Sequence, residues 1–239
     1  DCASTDGTSK IDAEFPAVQM LRLPHHIGAG RALNIGARTA KADCILFLTP
    51  DVEVQPNTVM ALADALDADP TTVAACPLLT DASGQPTPRL YKIPAPAAVT
   101  APRAAQSVDL SEPNPTVEFP SLDALMIRRQ FIGAMNYFDQ RYGHYWVDAE
   151  LAMQIRRAAK KIRLYSAVRA TLHPGPDPLE GDSLAAADRV NGAAEFAGKY
   201  GGGAFGVRLS AALSALAGFK LGQLFSILGG QKLDGGQVG

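Results

Sequence analysis

Cys44-Ile45-Leu46-Phe47-Leu48-Thr49-Pro50-Asp51 is the stretch on which the fold turns. Five consecutive apolar residues are too few for a helix and too continuous for a strand with one wet face. They suit a strand buried on both sides, as in a parallel sheet. Thr49-Pro50-Asp51 ends the run in a turn. Upstream, small and apolar residues recur at helical spacing from Ile27 to Ala42, with Ile27, Leu33, Ala37 and Ala40 on one side. Downstream, Pro56 is suited to open a helix reaching about Ala68. Thr72 to Leu79 is then a second buried strand. Strands alternating with helices predict an α/β sheet with parallel order in its first half.

Working further outward, Val18 to Leu23 alternates as a short strand, and Asp81-Ala82-Ser83-Gly84 is a turn whose return strand would be Arg89 to Ile93. Residues 94–119 are rich in Pro and Ala without periodicity, and read as a long surface loop of the kind that carries function. Leu122 to Ile127 reads as a strand, Val147 to Lys160 as an amphipathic helix, and Ile162 to Leu172 as a last strand ending at His173. After a Pro/Gly/Asp loop over 174–182 comes a polar helix, Ser183 to Tyr200, broken by Gly201-Gly202-Gly203. Ala204 to Leu228 is apolar apart from Arg208 and Lys220. Those two charges make it a poor membrane span. It suits an amphipathic helix lying on a membrane or packed on the domain.

The bulk numbers agree. A chain of 239 residues, 47% hydrophobic and 19% charged, holds one α/β domain with a tail or at most two small domains. A net charge of -2 argues against a nucleic-acid binder. The three cysteines, Cys2, Cys44 and Cys76, form no CxxC pair, which points to a reducing compartment. The chain opens on a turn-like Asp-Cys-Ala-Ser-Thr-Asp-Gly-Thr segment without Met, so an upstream strand is expected to precede it.

In an open α/β sheet, ligands bind beyond the carboxyl ends of the strands. Asp51 and His173 fall there, Asp148 opens a helix, and Asp1 and Asp6 would follow the upstream strand. Asp51 could hold Mg²⁺ or Mn²⁺, which take oxygen ligands and share them with substrate phosphates. It could equally be a turn Asp after Pro. Glu53 could add a carboxylate or cap the next helix. Asp148 in Trp146-Val147-Asp148-Ala149-Glu150 suits a first-turn acid stabilising the helix dipole by roughly 0.3–1 kcal/mol. It also suits a general base for an acceptor hydroxyl. His173 is either an ordinary strand-end histidine or a ligand to a metal or diphosphate. Arg31 and Arg38 follow Gly28 and Gly30, where a helix start can hold phosphate.

In order along the chain, these segments resemble family 2 glycosyltransferases, and specifically their rhamnosyltransferase-like branch. Asp1-Cys2-Ala3-Ser4-Thr5-Asp6-Gly7 resembles the family's Asp-Asn-x-Ser-x-Asp-Gly. His26 to Gly36 resembles its Asn-x-Gly to Asn-x-Gly stretch. Leu46 to Asp51 resembles its Leu-Asn-Pro-Asp form of the metal-binding DxD motif. Asp123 to Arg129, followed by Phe138-Asp139, resembles the segment before the acceptor site. Val147-Asp148-Ala149-Glu150-Leu151 resembles Glu-Asp-x-Asp-Leu, and Gly229 to Gly235 resembles a tail of this branch. Thr49, Val147 and His26 depart from the pattern, standing where Asn or Asp, Glu and Asn are usual. The family's first strand, first helix and second strand are not matched.

The resemblance implies a GT-A fold, a mixed α/β sheet flanked by helices over residues 1–182. A helical extension over 183–239 would follow, with a membrane-associating role open to it. It implies an inverting transfer from a nucleotide-sugar donor to a hydroxyl of a saccharide or lipid-linked saccharide, at the cytoplasmic membrane face, in cell-surface polysaccharide synthesis. Asp1, Asp6, Arg31, Asn34 and Asp51 would meet the donor, and Asp51 and His173 a divalent Mg²⁺ or Mn²⁺. Asp148 would be the catalytic base. Two rivals remain: a non-catalytic scaffold relative, suggested by Thr49 and Val147, and a nucleotidyltransferase.

Overall fold

The computed structural model describes residues 1–239 other than 88, 174, 176–178, 180 and 234–239. In chain order the elements are α1 (Ile11–Glu14), α2 (Ala29–Thr39), β1 (Cys44–Leu48), β2 (Val52–Val54), α3 (Thr58–Ala68), β3 (Thr72–Thr80), β4 (Leu90–Tyr91), β5 (Thr116–Val117), β6 (Phe119–Pro120) and β7 (Ala124–Arg128). Then follow α4 (Arg129–Ala134), α5 (Val147–Arg157), β8 (Lys161–Leu172), α6 (Ser183–Tyr200), α7 (Ala204–Ala217) and α8 (Leu221–Leu228). The chain divides into two compact units. A sheet unit holds Ala40–Tyr137 and Asp148–Glu180, and a helical unit holds Asp1–Thr39, Phe138–Val147 and Gly181–Gly239.

In the sheet unit the strand order is β1-β7-β3-β8-β2, with β5 also on β8. Only β3 and β8 pair in parallel among the described residues; β1–β7, β3–β7, β2–β8 and β5–β8 are antiparallel. The expected parallel order of the first half is therefore replaced by a mixed sheet. The strand Ala124–Arg128 inserts between β1 and β3, which continue to point the same way but do not touch edge to edge. Periodicity reports which faces of a strand are dry, not which strand lies beside it. β3 is buried at all nine positions because it is flanked on both edges and both faces. Leu62 and Leu66 of α3 pack on Ala75, Met126 and Tyr165 over one part of the sheet. Val52, Leu79, Ala124, Ala170 and Leu172 form a second cluster near the ends of the strands.

Several local expectations change. Val18 to Leu23 is not a strand; Leu23 N donates to Asp1 O (2.8 Å) and the terminal amine of Asp1 to Leu21 O (2.8 Å), which is too little pairing for a ladder. The return strand pairs as β4 with β6 in a separate two-stranded sheet instead of with β3, so the long loop contains structure of its own. α5 ends at Arg157, ahead of the expected Lys160, and Ala159 takes a positive φ of 54°. The apolar stretch from Ala204 breaks in two at Gly218-Phe219-Lys220. Phe219 adopts φ 55°, and Phe219 N and Lys220 N close the helix end on Leu216 O and Ala215 O.

In the helical unit, Asp182 caps α6 by accepting from Leu184 N and Ala185 N. Ala187 of α6 meets Ala212 and Ala215 of α7 and Ile227 of α8, a small-residue core that lets three helices approach closely. The tail motif is described only as far as Leu233; Asp234 and Gly235 lie outside the described residues.

Candidate active site

Since β7 is antiparallel to both β1 and β3, and β3 is parallel to β8, the carboxyl ends of β1, β3 and β8 share one edge of the sheet. Thr49-Pro50-Asp51, Asp81 and His173 follow those ends. The register Val52↔Leu172 sets Asp51 opposite His173, and His173 N donates to Asp51 O (2.8 Å). Thr49, the residue that departs from the family pattern, acts on both neighbours. Its Oγ1 donates to Asp51 Oδ1 (2.5 Å) and its N–H to Asp123 O (3.0 Å). His173 Nε2 lies 2.9 Å from Glu53 Oε2, but these side chains are 50% and 63% exposed, so the contact adds little stability. Asp123, deep under this edge, accepts from Arg89 Nη1 (3.1 Å) and Ser121 Oγ (2.6 Å).

Asp148 lies in the first turn of α5, in the same unit. Its two carboxylate oxygens accept from Nη1 and Nη2 of Arg103 at 2.7 and 3.0 Å, a bidentate charge-assisted pair. The Arg103 guanidinium in turn lies 4.9 Å from the ring centre of Phe119 and 5.7 Å from that of Tyr91, so aromatic faces of the small β4–β6 sheet orient it. The Asp148 side chain is only 14% exposed, and its Oδ1 also accepts from Ala149 N (2.8 Å). Glu150, two residues on, is buried and accepts from Gln154 Nε2 (2.9 Å).

The remaining predicted donor residues belong to the helical unit. Asp1 Oδ1 accepts from Ser4 N (3.3 Å). Asp6 caps the short helical turn Gly7–Lys10, and the hydrogen bonds from the Thr8 side chain and backbone hold its carboxyl below the usual range. Arg31 is half-buried on α2. Asn34 is buried, and its amide is engaged at both ends: Nδ2 donates to Phe138 O and Oδ1 accepts from Phe138 N, each at 2.8 Å. The structure thus brings Asp51 and His173 together, gives Asp148 a partner, and gives Asn34 the task of fixing the backbone at Phe138.

Among the described residues no three His, Cys, Asp or Glu side chains gather into a metal cage. Mg²⁺ and Mn²⁺ bound with a nucleotide need no such cage, because one or two protein ligands suffice when phosphates complete the shell. The pair Asp51 and His173, set opposite each other by strand register, fits that open type of site.

Arg103 is the residue that sequence reasoning missed. Its signal was available: it is the single charged side chain between Lys92 and Asp109, in a loop otherwise built of Pro, Ala and small residues. Asp123 was visible only as part of a motif, not as the partner of Arg89 and Ser121.

A mixed sheet flanked by helices, with acidic groups at its carboxyl edge, is the architecture of GT-A glycosyltransferases. Solved structures of that kind superpose on the chain. A GalNAc-T7 structure with UDP, GalNAc and Mn²⁺ matches at a TM-score of 0.56 and 16% identity, over 74% of this chain and 38% of the other. The mannosyltransferase PcManGT of Pyrobaculum calidifontis, in complex with GDP-Man and Mn²⁺, matches at 0.54 and 15%, over 96% and 74%. Staphylococcus aureus TarS 1–349 with UDP-GlcNAc matches at 0.55 and 16%, over 96% and 69%. At these identities the likeness shows the fold.

The chain belongs to glycosyl transferase family 2, whose profile matches residues 1–134. It is 28% identical over 183 residues to the N-acetylglucosaminyl-diphospho-decaprenol L-rhamnosyltransferase of Mycobacterium tuberculosis, in strains CDC 1551 and H37Rv alike. The match covers 66% of this chain and 60% of the relative, so the chain spans about three-fifths of that protein's length.

Proposed function

We propose that this chain carries out inverting transfer of a sugar from a nucleotide-sugar donor to a hydroxyl of a saccharide on a lipid-linked acceptor, in cell-surface polysaccharide synthesis at the cytoplasmic membrane face. The observation that carries the reading is Asp148, a carboxylate at a helix start, little exposed, held in one orientation by Arg103. Family membership and the rhamnosyltransferase relative supply the reaction class.

Asp148 takes the proton of the acceptor hydroxyl as that oxygen forms its bond to the anomeric carbon. The bond from that carbon to the donor's phosphate oxygen breaks on the opposite face, and the nucleoside diphosphate leaves. General-base assistance of this kind contributes about 10²–10⁴-fold. Arg103 positions the carboxylate before the acceptor arrives, and one carboxylate oxygen turns from the guanidinium to the hydroxyl when it does. A divalent ion held by Asp51 and His173 would supply charge neutralisation for the departing diphosphate. Thr49 keeps the Asp51 carboxylate turned toward the edge. The family resemblance assigns Asp1, Asp6, Arg31 and Asn34 to the donor, and Asn34 itself fixes the backbone at Phe138.

A thermal-shift panel tests this. UDP, dTDP and GDP would each be added with and without Mn²⁺. Stabilisation by one nucleotide, only with metal, is expected, and at 100 times its Kd a ligand adds about 2.7 kcal/mol. Absence of a shift with every nucleotide would turn the reading to a non-catalytic scaffold.

A further inference from the structure

α7 and α8 turn only one side to the core. Ala212, Ala215 and Ile227 are buried there, while Phe205, Leu213, Phe219, Leu221, Phe225 and Leu228 face solvent. On α7 the exposed apolar positions 205, 209, 213 and 216 recur at helical spacing, and on α8 so do 221, 225 and 228, so each helix presents a continuous outer stripe. Phe219, in the turn between them, is 90% exposed, and Phe205 at the start of α7 and Phe225 on α8 are 78% and 69% exposed. Phe219 also holds a left-handed backbone, φ 55°, a conformation that non-glycine side chains rarely adopt. A phenylalanine placed there, in solvent, contributes nothing to the helical core.

An exposed apolar face of this extent marks a surface for lipid or protein. Charge decides between them. From Phe196 to Leu233 there is no Asp or Glu and there are four cations, Lys199, Arg208, Lys220 and Lys232, although the whole chain carries net -2. Lys199 pairs with Asp139 and Arg208 with Glu195, while Lys220 stands at the tip beside Phe219. Among the described residues no helix is long and apolar enough to cross a membrane. A wedge of aromatic and leucine side chains with a cation at its tip and no acid on α7 or α8 fits an anionic lipid surface.

We infer that the α7–α8 hairpin docks on an anionic bilayer through its outer apolar stripe, with Phe219 inserted and Lys220 at the headgroups. The inference deepens the proposed transfer to a lipid-linked acceptor and rests on it for its purpose, since docking would bring the chain to the surface that holds the acceptor.

The test is co-sedimentation of the full chain with vesicles of phosphatidylcholine alone and of phosphatidylcholine mixed with phosphatidylglycerol. Wild type is expected to pellet with the mixed vesicles and to remain largely in solution with the neutral ones. Phe219→Ser should lower the partition coefficient about tenfold or more, as loss of one buried aromatic side chain. Lys220→Glu should lower it by about tenfold on the anionic vesicles only. Both positions are exposed, so circular dichroism and melting temperature should be unchanged. Wild type left in solution with both vesicle types overturns the inference. So does a wild-type dimer in light scattering that Phe219→Ser turns to monomer, which would make the face a contact between copies of the chain. Transfer to a water-soluble acceptor analogue separates the two proposals. Phe219→Ser should keep it while losing transfer to acceptor in vesicles. Vesicle binding by a chain that transfers to neither acceptor would leave the docking intact and sink the glycosyltransfer reading.

Discussion

The sheet unit and the helical unit use polar side chains in opposite ways. At the sheet edge, Asp51, Glu53 and His173 are partly or largely exposed, held by single contacts to neighbours on the same edge, and contribute little to stability. In the helical unit, Asn34 and Asp188 are buried and bound to backbone. Asn34 is tied to Phe138 by two hydrogen bonds, and Asp188 Oδ2 accepts from His144 N (2.8 Å) and Tyr145 N (3.0 Å). Gly143 is required beside Asp188, because a Cβ there would fall 2.1 Å from its Oδ1. The difference teaches where to look for chemistry. The edge groups keep much of their surface open to solvent, whereas the buried Asn34 amide and Asp188 Oδ2 are bound to the backbone of the 138–147 segment. Asp148 and Arg103 stand between these extremes, paired with each other yet reachable.

Mutations should separate the two kinds of residue. The largest effect is expected at Asp148: Asp148→Asn should lower the transfer rate by about 10²–10⁴-fold in a product-formation assay. The melting temperature should fall only slightly, because Asn keeps the size of Asp and the charge attraction lost is to an Arg103 that is 34% exposed. Asp51→Ala comes next, with loss of about 10²-fold in rate and of any stimulation by Mn²⁺, again without a change in melting temperature. The helical unit should behave the other way. Asn34→Ala removes two buried hydrogen bonds to the Phe138 backbone and should cost about 1–3 kcal/mol in denaturant unfolding. An equal loss of rate and of stability at Asp148 would erase the contrast.

The smallest effect is a pH dependence. Burial raises the Asp188 carboxyl above its ordinary value of 3.8, against the lowering by the Tyr145 and His144 N–H groups. The folded chain therefore holds that proton more tightly than the unfolded chain does. Its contribution to stability is fully present below pH 3.8 and is lost as pH rises through the raised value. Asp188→Asn is neutral at every pH and escapes that loss, so its stability relative to wild type should rise between acid and neutral pH. Unfolding curves of both proteins across that range would show it, and parallel curves would contradict it.

Much of the sheet was legible in the sequence. Cys44–Leu48 and Thr72–Leu79 are short apolar runs between breakers, and the end of the first located Asp51 in advance, but β1 is an edge strand buried only at Phe47 and not the strand buried on both sides that its run suggested. His173 was legible for the same reason, as the residue after the last strand. The antiparallel insertion of β7 was not, because hydrophobic pattern encodes burial and not neighbours. The pairing of Arg103 with Asp148 joins positions 45 residues apart through a segment without periodicity, so no local signal connects them. The break at Gly218 could have been read, since Gly inside an apolar helical run is a recognised stop, but the apolar continuity on either side masked it. Asn34 appeared only as a motif position, and its role at Phe138 emerged from packing.

The most direct test of the account is to follow the product itself. Wild-type chain would be incubated with a panel of nucleotide sugars and of lipid-linked saccharides in vesicles, and the new glycosidic linkage read by mass spectrometry and NMR. The account predicts one extended saccharide, with the anomeric configuration opposite to that of the donor. A product of retained configuration, or donor hydrolysis without transfer to the acceptor, would contradict it.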